Sequence, residues 1–122
     1  MAQRIEQTID LGVADETVVL AVPDLDVAGV QVRYLGDGTA EAWPTGTVPK
    51  VVVEVSIDGN DWYGLSDAGL ADADVEFAAA GLAAGIDVSS VGFIRARVST
   101  KAASTNKKAI VTLYAQRAGA RG

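Results

Sequence analysis

The sequence contains no cysteine and no histidine. Without cysteine there is no disulfide and no thiolate chemistry, and the redox compartment leaves no trace. Without histidine there is no imidazole base near neutral pH and no imidazole metal ligand, so Ser–His–Asp and Cys–His arrangements are excluded. Aromatic residues make up 6% of the chain, so a core has to be built from Val, Ile, Leu and Ala. No apolar run approaches the roughly 20 residues that a membrane-spanning helix needs. The opening Met1-Ala-Gln-Arg-Ile-Glu lacks the basic-then-apolar layout of a secretory signal. The expectation is a soluble protein made inside a cell, with no membrane partner. No glycine-rich phosphate loop lies between a strand and a helix, and Gly36-Asp-Gly38 reads as a turn. Acid is missing from the end of the chain: residues 1–87 hold all 16 acids and three bases, Arg4, Arg33 and Lys50. Residues 88–122 hold no acid and seven bases.

What remains is a chain of 122 residues, about half of them apolar, the size of one domain and long enough for a core without metal or disulfide support. Ile5, Ile9 and Leu11 alternate with Arg4, Glu6, Thr8 and Asp10, the pattern of a half-buried strand. Glu16 to Val22 is strongly apolar and reads as a strand buried on both faces, ended by Pro23. Gly29 to Leu35 is a third strand. Thr39 to Lys50, with Trp43, Pro44 and Pro49, reads as an irregular loop. Val51 to Ile57 sets Val51, Val53, Val55 and Ile57 on one face and Val52, Glu54 and Ser56 on the other. Asp58-Gly-Asn-Asp61 supplies turn chemistry, and Trp62 to Ser66 returns as a strand. The Ala-, Gly- and Asp-rich stretch from Ser66 to Ser90 reads as a long connection with short strands near Val75–Ala78 and Ile86–Val88. Phe93–Ser99 and Ala109–Arg117 close the set. The expected architecture is all-β: one antiparallel β-sandwich domain over residues 1–122, jelly-roll-like, with seven to nine short strands and a loose tail at 118–122.

The inventory offers little to catalysis. Carboxylates are plentiful, but an Asp-rich surface is ordinary, and no nucleophile stands in a local signature; the reading is that the chain is not an enzyme and holds no cofactor. Asp58, Asn60 and Asp61 could offer oxygens to calcium, as could Asp72, Asp74 and Glu76. Neither set matches a calcium loop with its closing glutamate, and they read as a hairpin turn and a solvated loop, so no metal is expected. Arg95 and Arg97 alternate outward and read as ladder partners for acids such as Glu54. The charge split leaves two readings open: neutralisation inside the fold, or a basic face meeting an acidic face on a neighbouring copy. Nucleic acid is not an expected partner, because the net charge is −6 and would repel phosphate at long range. Candidate interface residues are Trp43, in a Pro-flanked loop, and the bases Arg95, Arg97, Lys107, Lys108, Arg117 and Arg121. Trp43, Trp62 and Tyr63 together suggest a sugar-stacking platform as an alternative.

The run Val-Glu-Val-Ser-Ile-Asp-Gly-Asn-Asp-Trp-Tyr (53–63), then Gly-Phe-Ile-Arg-Ala-Arg-Val (92–98) and Ile-Val-Thr-Leu-Tyr-Ala-Gln (110–116), resembles small β-sandwich virion proteins of tailed bacteriophages found on heads, necks and tails. The resemblance covers roughly the second half of the chain. It implies a non-enzymatic structural role, above all capsid decoration and stabilisation. It also implies a homo-oligomer bound to capsid or other virion proteins and located in the virion after assembly in the host cytoplasm. The same strand–turn–strand also resembles discoidin-type jelly-roll modules that bind carbohydrate or lipid. That implies the alternative function, a carbohydrate-binding sandwich recognising host-surface glycans, although such modules often carry a disulfide and this chain has none.

Overall fold

The structure is a computed structural model that describes residues 2–36, 43–44 and 46–117. Nine strands and no helix occur among these residues: β1 (Ala2–Asp10), β2 (Thr17–Ala21), β3 (Val27–Gly36), β4 (Lys50–Ser56), β5 (Tyr63–Gly64), β6 (Glu76–Phe77), β7 (Gly81–Asp87), β8 (Phe93–Thr100) and β9 (Lys108–Gln116). They form two sheets, ordered β1-β9-β3-β7 and β2-β8-β4-β5, with β6 also on β4. All pairings are antiparallel. The pairing is nested: first strand with last, second with second-last, third with β7, and β4 with β5 and β6. This is a long hairpin rolled over itself, the jelly-roll arrangement.

Alternation explains why each strand lies where it does. Val51, Val53 and Val55 of β4, Ile94, Ala96 and Val98 of β8, and Val18 and Leu20 of β2 point inward. They meet Val30 and Val32 of β3 and Val111 and Leu113 of β9, and all belong to one buried aliphatic cluster. Aliphatic β-branched side chains suit this pleated, two-layer core.

Several expectations are corrected. β2 is not buried on both faces: it is an edge strand whose outer side chains, Val19 among them, meet solvent. The strand expected to run through Ile57 ends at Ser56, and Ile57 is 77% exposed. The return strand from Trp62 to Ser66 contracts to Tyr63–Gly64. The edge of β4 is instead shared. β5 pairs at Glu54 and Val55 and β6 at Val51 and Val52, while Leu65 to Val75 loops out between them. The strand near Ile86 is longer than expected and begins at Gly81. The tail 118–122 lies outside the described residues.

Candidate functional site

The outer face of the β2-β8-β4 sheet carries the densest polar cluster. β4 and β8 pair with Glu54 opposite Arg95 and Val52 opposite Arg97, so strand alternation delivers three charged side chains to one face. The Glu54 carboxylate accepts from Arg95 Nε at 2.8 Å, Arg97 Nε at 2.9 Å and Arg97 Nη2 at 3.1 Å. Arg97 Nη1 continues to Asp15 at 2.9 Å. Glu54 is only 9% exposed, because the two arginine stems cover it. Burial alone would push its carboxyl up, but the donated hydrogen bonds and charges of Arg97 and Arg95 outweigh it and hold the carboxyl below its usual range. The hydrogen bond to Glu54 likewise raises Arg97, against burial. The guanidinium carbon of Arg95 lies 4.3 Å from the Trp62 ring centroid, a cation–π contact. Trp62 in turn meets Phe93 edge-on at 6.4 Å. The row Trp62–Arg95–Glu54–Arg97–Asp15 is a connected, charge-compensated plate.

The sandwich has two unlike ends. At one end the β1–β2, β3–β4 and β8–β9 connections meet. Asp10 buckles them: its carboxylate accepts the backbone N–H groups of Gly12 at 2.8 Å, Asn106 at 2.7 Å and Lys107 at 3.2 Å, with Lys108 Nζ at 3.9 Å. Burial would raise this carboxyl, but those three N–H donors and Lys108 together lower it. Trp43 and Lys107 line a shallow groove of about 380 Å³ here, with Pro44, Thr47 and Ala102 to Ser104. Trp43 is half-buried rather than projecting; its ring packs 5.7 Å from Tyr34 and its Nε1 donates to the Pro49 carbonyl at 3.2 Å.

At the opposite end, Ile57, Asp58, Asp61, Tyr63, Asp67 and Ala68 surround an open depression of about 510 Å³. Tyr63 is 54% exposed. Asp58 is spent on its own turn, accepting from Asp61 N and Asn60 N, each at 2.9 Å, and from Ser56 Oγ at 3.0 Å. These donors lower its carboxyl. No cluster of three or more metal-ligating acids occurs among the described residues.

The candidate interface residues therefore do not form one patch. Arg95 and Arg97 sit mid-face, tied to Glu54. Lys107 and Lys108 join Trp43 at one end. Arg117 follows β9 at the other end, and Arg121 lies outside the described residues. The three aromatics form no common platform: Arg95 covers Trp62, Trp43 is at the far end, and Tyr63 alone faces open solvent. The charge split in sequence becomes a partial split in space. Among the described residues, Lys50, Lys101, Lys107 and Lys108 gather at one end together with Asp10, Asp15 and Glu16, while Asp24, Asp58, Asp61, Asp67 and Asp87 lie at the other with Arg117. Lys50, Lys101 and Lys107 make no ion pair with a described residue.

No protein-family model matches the chain, and no curated protein matches it. Among solved structures, the chain is similar to the SPBc2 prophage-derived protein YomS, with a TM-score of 0.54 and 6% identity over 93% of this chain and 94% of that one. It also aligns with a Bacillus endospore appendage protein from disulfide-linked pili, with a TM-score of 0.38 and 17% identity over 96% of this chain and 89% of that one. A protein of Sulfurospirillum deleyianum aligns with a TM-score of 0.45 and 14% identity over 93% of this chain and 98% of that one. The likeness to YomS is one of fold.

Proposed function

We propose that this chain is a non-enzymatic structural protein of a tailed-phage virion, a capsid decoration protein that binds the capsid lattice and its own copies and uses no cofactor. The observation that carries the reading is the likeness to a prophage-derived protein along nearly the whole of both chains. Two physical features support it. The polar cluster on the sheet is internally compensated, which suits a rigid scaffold surface more than a site that must change charge during a reaction. The ends are unlike, one mixing lysines with acids and the other dominated by aspartate, and such asymmetry suits docking in a fixed orientation, because charge pattern sets register and encounter more than raw affinity. The test is purification of intact particles from infected cells. The protein is expected in them at a copy number tied to lattice symmetry. Its production in the cell but absence from purified particles would remove the reading.

A second reading, glycan recognition, is favoured by the Tyr63 depression, where an exposed ring stands among carboxylates able to accept sugar hydroxyls. A glycan array comparing the native chain with Tyr63→Ala tests it, and no binding at high micromolar protein counts against it.

A further inference from the structure

Among the described residues the two sheets have four outer edges, and three are blunted. β5 and β6 are two residues each and β2 is five. β7 carries Gly81 and Gly85, the latter at φ +72°, and its pairing with β3 breaks register between Ala28 and Val30. The remaining edge, β1, is nine residues long and pairs with β9 without a register break from Ala2 to Asp10. It has no glycine, proline or lysine. Sheet proteins normally protect such an edge, since it is a template for another strand.

The direction of its free backbone groups can be read. Leu11 N donates to the Lys107 carbonyl at 2.8 Å, one step beyond the Asp10–Lys108 pair of the β1–β9 register. Antiparallel pairs alternate between bonded and non-bonded, so the odd-numbered residues of β1 bond to β9. Arg4, Glu6 and Thr8 turn their N–H and C=O groups to the open edge. A second β1 running antiparallel must therefore match even residues with even ones.

Only a few two-fold registers satisfy this, and charge separates them. An axis at Arg4 or Glu6 sets like charges opposite each other. An axis at Gln7 calls on Asp10, whose carboxylate is already held by three backbone N–H groups. An axis at Ile5 sets Arg4 against Glu6 of the second copy and the reverse, Gln3 against Gln7, and Ile5 against itself. The segment Gln3-Arg-Ile-Glu-Gln7 is thus complementary to its own reversal. Within one chain Arg4 and Glu6 already lie 2.7 Å apart on the same exposed face, placed to pair across an axis.

We propose that two copies join through β1, antiparallel about a two-fold axis at Ile5, extending β1-β9-β3-β7 into one continuous sheet. The inference specifies the self-association included in the proposed function. Its test uses purified full-length chain and no particles, so the two fail separately. A dimer missing from virions removes the virion reading alone, and a particle-bound monomer removes this one alone.

Sedimentation equilibrium is expected to show a dimer. Arg4→Glu and Glu6→Arg each convert both symmetry-related pairs to like charges and should weaken it roughly tenfold to a hundredfold. The double variant Arg4→Glu/Glu6→Arg restores complementarity and should restore the dimer. In a chain otherwise free of cysteine, Ile5→Cys should cross-link on mild oxidation, because facing non-bonded Cα atoms lie about 4.5 Å apart, within disulfide reach. Thr8→Cys should not. A monomer at every concentration overturns the proposal. So does a dimer indifferent to both charge reversals, or one in which Ile5→Cys cross-links no faster than Thr8→Cys.

Discussion

Glu54 is the residue on which most of the sheet's outer face turns. Its carboxylate is the shared acceptor of Arg95 and Arg97, and removing it leaves two largely covered guanidinium groups without their common partner. Glu54→Ala should cost about 3 kcal/mol, toward the lower end for orphaning partners of a buried pair, and lower Tm by roughly 10 °C in a domain of this size. Thermal unfolding of the variant checks this, and a change of only a degree or two would show the plate to be decorative. The Glu54–Arg95 pairing was readable from residue types and strand alternation. That Trp62 lies beneath Arg95 was not, because a loop residue's direction is set by what packs around it. The only advance signal was an aromatic adjacent to a charged ladder.

At the scale of elements, the connections are fastened by acids accepting backbone N–H groups. Asp10 holds the β1–β2 turn to the β8–β9 loop, aided by Asn106 in the left-handed region at φ 65°. Gly12 sits so close that a Cβ there would overlap the Ser104 carbonyl oxygen. Gly12→Ala should therefore destabilise by about 1–3 kcal/mol, the usual cost of overpacking, read as a lower denaturant midpoint with unchanged slope. Asp10 and Glu54 both have carboxyls lowered in the folded state. Below their ordinary range the unfolded chain takes up protons more readily than the folded one. Their contribution is thus complete above about pH 5 and drains away as pH falls through the lowered folded values. Urea midpoints should drop between about pH 5 and pH 3, and Asp10→Asn should lose less over that interval than the native chain. The main strands were legible because aliphatic residues recur in them with a two-residue period, as at Val51, Val53 and Val55 or Ile94, Ala96 and Val98. β5, β6 and the start of β7 were not. Two-residue strands carry no periodicity, and Gly81-Leu-Ala-Ala-Gly85 has too little apolar contrast to mark a face.

Across the whole molecule, the sequence left open whether the acidic and basic regions neutralise internally or meet between copies. Arg95, Arg97 and Lys108 find acids within the fold, while Lys50, Lys101 and Lys107 stand at one end opposite an aspartate-rich one. If those ends dock between copies or onto a lattice, association should weaken with salt as the Debye length falls below about 8 Å. Binding of purified chain to particles stripped of it, measured across a salt series, reads this directly. Salt-independent binding would assign the charges to internal compensation.

The identity of the main strands, most of the aliphatic core and the absence of thiol and imidazole chemistry were settled by the sequence alone, because side-chain period and residue inventory are local properties. Three things came only with tertiary structure. The nesting of strands into a rolled hairpin fixed which edges remain open. The register of β4 against β8 gathered the charges around Glu54. The meeting of distant loops gathered the lysines beside Asp10, Asp15 and Glu16 at one end and left an excess of aspartate at the other. Each depends on which segments lie side by side, and that is decided by burying two sheet faces against each other, a condition that no stretch of chain can meet by itself.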